Sequence, residues 1–315
     1  MAEHSAIAWT RSTFNPLIGC TKVGPGCDHC YAEALDNRHR WKGATHWGVG
    51  VPRMRTADSN WLKVERWNRF AAEEKLTGEL TPKSEWKGRV GFWPVFCASL
   101  ADVFDNEVHD LWRTDLFALI LATPHLSWLL VTKRIGNVAK MVPANWLSDG
   151  FPPHVRVLIT VVNQEEADRD VPKLLALPCK NGISYEPALG PVDWSRWIWP
   201  MCWHWAAGYK TPEEAIAAGA YAELKPQGLV SAHRKFIEWI IVGGESTQGA
   251  PARPFDLGWA YSTIKQCRSS KVPVFVKQLG ANPYFGIAPI DKPKDRAGAD
   301  EAEWPEELRV QEFPA

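Results

Sequence analysis

The chain has 315 residues, 45% hydrophobic and 23% charged, with a formal net charge of zero. That composition suits a globular chain with a sizeable core and excludes a disordered one, while no apolar run approaches the roughly 20 residues that span a bilayer. The opening Met-Ala-Glu-His-Ser lacks a basic segment followed by an apolar stretch, so a cytoplasmic protein is expected, without a membrane partner. Seven cysteines in such a chain favour reduced thiols or metal thiolates over a disulfide framework.

In chain order, a first strand is predicted near residues 13–18, just before three clustered cysteines. Cys20, Cys27 and Cys30 have the spacing C-x6-C-x2-C, and Gly24, Pro25 and Gly26 between them suit a loop folded around an ion. Thiolates are soft ligands for zinc or iron–sulfur clusters. Three of them leave one iron of a four-iron cluster open, whereas structural zinc needs a closed set of four. Zinc with His29, His39 or His46 as fourth ligand, and unligated thiols, stand as the alternatives. The scattered Cys97, Cys179, Cys202 and Cys267 read as small buried hydrophobes.

An insertion follows at about 33–90. Between Arg38 and Arg69 it carries eight Arg/Lys against two acids, Asp58 and Glu65, together with Trp41, Trp47, Trp61 and Trp67. Arg38, Arg40, Lys42, Arg53 and Arg55 are candidates to neutralise phosphates, and Trp41 or Trp47 to stack on an unpaired base. Packing of the insertion is the plainer reading of its tryptophans.

From residue 93 onward, strands are predicted at 93–99, 127–132, 155–161, 182–185, 238–242 and 272–276, alternating with helical periodicities. Val108, Leu111, Trp112, Leu116, Leu119 and Ile120 recur at helical spacing, and Asp256 is a candidate N-cap for a helix before the last strand. With the strand near the N-terminus this makes about seven. The fold class expected is α/β, a partial or full parallel (β/α) barrel with two Trp-rich insertions, the second at about 194–235. Residues 1–290 read as a single barrel domain, with a separate N-terminal zinc or nucleic-acid domain as the alternative. Residues 291–315, with eight acids against four bases, read as a solvated acidic C-terminal tail.

Polar residues fall directly after the strands: Asp102 and Asp105, Lys133 and Arg134, Asn163 and Gln164, Glu186, Glu245 and Ser246, then Lys277 and Gln278. In α/β sheets and barrels the C-terminal strand ends carry the chemistry, so these residues predict a ring around one site.

The segment from Gly19-Cys20-Thr-Lys through Pro25-Gly-Cys27 to Cys30-Tyr31-Ala-Glu33 resembles the radical S-adenosylmethionine superfamily. With Thr132-Lys-Arg134, Asn163-Gln164, Glu186-Pro187, Gly243-Gly-Glu-Ser246, Ala252-Arg-Pro254 and Phe275-Val-Lys-Gln278, it more closely resembles an uncharacterised family of phage and prophage radical-SAM-like proteins. The resemblance implies a partial TIM-type barrel, a 4Fe-4S cluster on Cys20, Cys27 and Cys30, and S-adenosyl-L-methionine on the open iron. An electron donor would then drive formation of a 5′-deoxyadenosyl radical. Position at the strand ends, and not the resemblance, suggests Asn163 and Glu186 for the ribose hydroxyls, Lys133 or Arg134 for the methionine carboxylate, and Glu245, in the ring, among the cofactor-binding residues. The chain departs from the superfamily's usual C-x3-C-x2-C spacing, and His29 stands where an aromatic residue usually precedes the last cysteine. The function expected is a radical S-adenosylmethionine-type iron–sulfur enzyme acting on a nucleic acid or nucleotide. One alternative is a non-enzymatic nucleic-acid-binding protein with a structural zinc or iron–sulfur site. The other is a hydrolase with a divalent metal on Asp102, Asp105, Glu186 and Glu245.

Overall fold

A computed structural model describes residues 4–80, 89–198, 235–247, 251–289 and 293–314. In chain order the strands are β1 (Ser12–Thr13), β2 (Leu17–Ile18), β3 (Met54–Arg55), β4 (Pro94–Cys97), β5 (Ser127–Thr132), β6 (Val155–Thr160), β7 (Lys180–Tyr185), β8 (Ile240–Gly243), β9 (Phe255–Asp256), β10 (Val274–Gln278), β11 (Pro283–Phe285) and β12 (Ala288–Pro289). The principal helices are α1 (Tyr31–His39), α2 (Asp58–Thr77), α3 (Asp110–Ala122), α4 (Ile135–Met141), α5 (Ala144–Ser148), α6 (Gln164–Leu175) and α7 (Leu257–Ser269).

Seven parallel strands pair in the order β1-β4-β5-β6-β7-β8-β10 and curl into a half-barrel. The order is open, so the barrel is partial. Sequences such as Ser-Trp-Leu-Leu-Val-Thr and Val-Arg-Val-Leu-Ile-Thr are apolar on both faces because both faces are covered. Outside, Leu130, Val157, Ile183, Val242 and Val276 pack with Leu116, Leu174 and Ile264 of the helices. Inside, Leu129, Leu158, Ile241 and Phe275 meet Trp9 and Trp239 in a second cluster.

Several expectations are corrected by this fold. The predicted strand at 13–18 divides: Ser12–Thr13 joins the sheet, while Leu17–Ile18 turns away to pair antiparallel with β3 in the first insertion. Pro16 separates them, and with no N–H it cannot continue the ladder. In α3 the buried face is Arg113, Leu116, Phe117 and Ile120, and Leu111 is 66% exposed. Arg113 takes the inward position because its guanidinium satisfies the carbonyls of Val103, Asp105 and Val108. Asp256 does cap its helix, accepting from the Gly258 N–H.

The first insertion packs on the core through α2, whose Trp61, Val64, Trp67 and Ala71 are buried. Glu74 on the same helix forms a fully buried two-pronged ion pair with Arg11 beside β1, and that guanidinium lies 3.5 Å over the Trp93 ring. Most of the second insertion, 199–234, lies outside the described residues, Cys202 included; Trp194 and Trp197 at its start are buried.

The expected solvated tail is also corrected. Trp304, Leu308 and Val310 are buried, and backbone bonds run from Val276 N–H to the Val310 carbonyl and from Glu312 N–H to the Val274 carbonyl. The apolar residues between the acids cover the open edge of β10, as a sheet edge requires. Phe313 then packs tilted on Trp239 and edge-on to Phe275, with ring centroids 5.7 and 5.2 Å away, beneath the half-barrel.

Candidate functional site

The C-terminal strand ends open on a cavity of about 140 Å³ lined by all three clustered cysteines. The cysteine loop is shaped by its glycines. Gly19 holds φ +113, where a Cβ would strike the His46 carbonyl, and Cβ atoms at Gly24 and Gly26 would come within 2.8 Å of the Glu166 carboxylate and the Val162 side chain. Bare backbone at these positions lets the loop settle closely over the turn from β6 into α6. Pro25–Cys27 forms one 3₁₀ turn, and Cys30 occupies the N-cap position of α1.

Burial pushes the Cys20 thiol up to about 12, and Asp102 adds to this against the opposing charge of Arg134. The Arg134 Nη1 donates to the Cys20 sulfur at 3.3 Å. Burial also raises the Cys30 thiol, against the pull of the Glu33 and Ala32 backbone N–H groups and the Lys133 charge. Metal binding would therefore displace protons from two thiols whose surroundings already contain cations to hold thiolates.

The donor set fits a three-cysteine iron–sulfur cluster. Among the described residues no three His, Cys, Asp or Glu side chains gather closely enough for a single metal ion. Thiolates around a cube of iron and sulfide stand farther apart than ligands of one ion, and the three thiols here border one cavity. The proposed fourth zinc ligands are engaged elsewhere: His29 with Glu245 and His46 with Asp36, both at 2.8 Å, while His39 stacks on Trp41. Cys97, Cys179 and Cys267 are buried in the outer core, as small hydrophobes are.

The five side chains expected to bind a cofactor divide sharply. Arg134 is occupied: besides Cys20 and the Thr21 carbonyl, it pairs with Asp102 at 3.2 Å and Asp105 at 3.5 Å. Asn163 caps α6, accepting from the Glu166 N–H at 2.9 Å. Glu186 pairs with Lys277 at 2.8 Å, where a shift of register in β10 between Val276 and Gln278 makes a bulge that re-aims the lysine. Glu245, buried, binds Arg253 at 2.6 Å and His29. Lys133 alone keeps donors to spare: it lines the cavity, its Nζ reaches only the Thr160 hydroxyl at 3.5 Å, and it forms no ion pair with any described residue.

Those pairings also engage the carboxylates of the hydrolase alternative. Asp102 and Asp105 share Arg134, with Arg53 on Asp105 as well, while Glu186 and Glu245 pair with Lys277 and Arg253, and among the described residues no three of these carboxylates gather for one metal ion. Likewise Arg53, a candidate for phosphate, is buried against Asp105 and Glu107, and Arg55 pairs with Asp58 over the Trp61 ring. Trp47 lines the cavity, whereas Trp41 does not.

Arg253 is the functional residue that position after a strand could not reveal. It reaches the Pro25 carbonyl at 2.8 Å and Asp28 at 3.6 Å while binding Glu245, so Glu245, Arg253 and His29 clamp the cysteine loop to the end of β8. Burial opposes ionisation of Glu245, yet hydrogen bonds from Arg253 and His29 hold its carboxyl below the ordinary value. The only sequence signal was Ala252-Arg-Pro254, which marked a resemblance but carried no partner.

Fold and site define an α/β half-barrel protein with a three-cysteine loop over its mouth. The chain belongs to the family described as "Protein of unknown function (DUF5131)", whose model matches residues 4–306. No curated protein matches it. Among solved structures it is similar to spore photoproduct lyase at 12% identity. A cysteine-to-serine mutant of that enzyme gives a TM-score of 0.43, with 88% of this chain and 77% of that chain covered. A tyrosine-to-phenylalanine mutant gives 0.41, with 86% and 75% covered. The enzyme complexed with dinucleoside spore photoproduct gives 0.34, with 81% and 60% covered. Likeness at this level assigns no activity to the present chain. Among the described residues no helix is long and apolar enough to cross a membrane.

Proposed function

We propose that this protein is a radical S-adenosylmethionine-type iron–sulfur enzyme acting on a nucleic acid or nucleotide. The observation that supports it most is that Cys20, Cys27 and Cys30 border one cavity with no fourth protein ligand among the described residues. An open iron needs that arrangement and a closed zinc site does not. The rival reading, a binding protein with a structural zinc, would need a closing ligand, and its candidates His29 and His46 are already paired with Glu245 and Asp36.

Cys20, Cys27 and Cys30 would hold the cluster, which when bound supplies an electron to the cofactor's sulfonium centre. The rest falls to the chain. Lys133, with donors to spare and Thr160 orienting it, would bind the cofactor's carboxylate. Arg134 neutralises Asp102 and steadies the Cys20 sulfur, a positioning role rather than a binding one. The aromatic floor of Trp9, Trp239, Phe275 and Phe313 keeps water from entering from below.

The test is S-adenosylmethionine binding by anaerobically reconstituted protein, followed by reduction. Wild type should bind the cofactor and release 5′-deoxyadenosine. Lys133→Ala should bind about tenfold more weakly, the worth of a charged hydrogen bond, with unchanged iron content. No binding by iron-loaded wild type would contradict the proposal.

A further inference from the structure

The last turn of α1 and the segment that follows it make a closed loop. Asp36, fully buried, accepts from the His46 backbone N–H and holds its Nδ1 at 2.8 Å, so the two ends of the stretch 37–45 are fastened together. That stretch reads Asn-Arg-His-Arg-Trp-Lys-Gly-Ala-Thr and contains no acid. Arg38, Arg40 and Lys42 are exposed and form no ion pair with any described residue. They contrast with Arg53 and Arg55 of the same insertion, which are paired.

The backbone of the loop is unusual. Arg40 (φ 42) and Lys42 (φ 55) both adopt the left-handed conformation, which residues with side chains rarely hold. Termination of α1 accounts for Arg40, but not for a second such residue two positions on. The conformation presents Arg40, Trp41 and Lys42 on a tight turn, with Trp41 stacked on His39 at 5.2 Å.

This loop leads directly to the site. Trp47 follows His46 and lines the cavity beside the cysteines. Its segment is tied to the cysteine loop by the bonds from Gly48 N–H to the Cys20 carbonyl (3.0 Å) and from the Thr21 hydroxyl to the Gly48 carbonyl (3.1 Å). Unpaired cations on the loop and an aromatic side chain lining the cavity complement the two parts of a single strand: charged phosphates, and a base free to stack.

We infer that the loop 37–45 is the docking surface for single-stranded nucleic acid, with Arg38, Arg40 and Lys42 on phosphates and Trp47 receiving one unpaired base at the cavity mouth. The substrate class rests on the proposed function, and the loop is the surface that would deliver that substrate. A base inside a duplex is stacked and cannot reach a recessed cavity without leaving its partner.

The experiment is fluorescence anisotropy of the full-length protein with short labelled DNA and RNA oligonucleotides, single-stranded or hybridised to their complements, over about 50 to 200 mM salt. Iron content is measured on each sample. Wild type should bind single strands and lose affinity steeply with salt. Replacing Arg38, Arg40 and Lys42 together with Gln should lower the slope of log affinity against log salt by about 2, at roughly 0.7 per phosphate on a single strand. Trp47→Ala should weaken binding about tenfold without changing that slope, and Trp47→Phe should restore most of it. An unchanged slope in the triple variant, with iron loading intact, would overturn the docking surface while leaving the cofactor reading standing. Salt-dependent binding through the loop in protein that loads no iron would do the reverse. Equal affinity for duplex and single strand, unaffected by Trp47→Ala, would overturn the role of Trp47.

Discussion

At the N-terminal end of the half-barrel, Trp9 lies 4.8 Å from Phe96 and 6.4 Å from Trp239, and Phe275 and Phe313 complete an aromatic floor. At the opposite end of the same strands the chain places Lys133 beside three cysteines, and the pairs Glu186–Lys277 and Glu245–Arg253 at the neighbouring strand ends. One end is closed by apolar packing and the other is left open and charged, although Leu129 and Lys133, or Phe275 and Lys277, are only a few residues apart. The contrast arises from what each strand end meets: the floor is covered by Trp9 before the first strand and Phe313 of the C-terminal segment, while at the mouth the chain enters loops free to carry polar groups. A protein that needed only stability would have little reason to crowd four carboxylate–cation pairs at one rim, since paired charges near the interior contribute little net stability.

The largest effect on this contrast comes from the floor. Trp9→Ala should cost about 3–5 kcal/mol in chemical denaturation, the usual penalty for removing a large buried aromatic ring. Iron content per folded chain should stay as in wild type, because the floor does not touch the cysteines. Loss of iron from folded Trp9→Ala protein would show that the two ends are not separable.

A smaller effect is expected at the rim. Glu245→Gln removes the carboxylate that joins His29 and Arg253, and should cost about 2 kcal/mol at neutral pH, the scale of hydrogen bonds to a charged group. Glu245 is held below its ordinary value of 4.5 in the folded chain. Its contribution is therefore complete above that value and fades as pH falls through the lower folded value, when both states become protonated. Denaturation curves of wild type and variant should converge in acid. A gap that persisted there would place the effect in packing instead of charge.

Much of the fold was legible in the sequence because parallel strands covered on both faces are runs of β-branched and aromatic residues, and β5 spans the very residues its pattern marks. The short β1 was not separable from Leu17–Ile18 until Pro16 was seen to divide them, and the C-terminal acids concealed Trp304 and Leu308. That three cysteines would gather at one place was legible from their spacing, and they line one cavity. The roles of their neighbours were not, since position after a strand cannot say which cation is already paired. Lys133 and Arg134 are adjacent in sequence, yet one faces the cavity with donors to spare and the other is spent on Asp102, Asp105 and Cys20. Arg253 was hidden for the same reason: its partners Pro25 and Asp28 lie more than two hundred residues away along the chain.

The central claim is that Cys20, Cys27 and Cys30 together hold one cluster with an open iron. Anaerobic reconstitution with iron and sulfide, read by metal analysis and by the electron paramagnetic resonance of the reduced protein with and without S-adenosylmethionine, tests it most directly. Wild type should carry about four irons per chain, with a signal that changes when the cofactor is added; replacing any one of the three cysteines with Ala should abolish stoichiometric iron, and Cys97→Ala or Cys267→Ala should not. Full loading without Cys27, or zinc in place of iron in the wild type, would contradict the account.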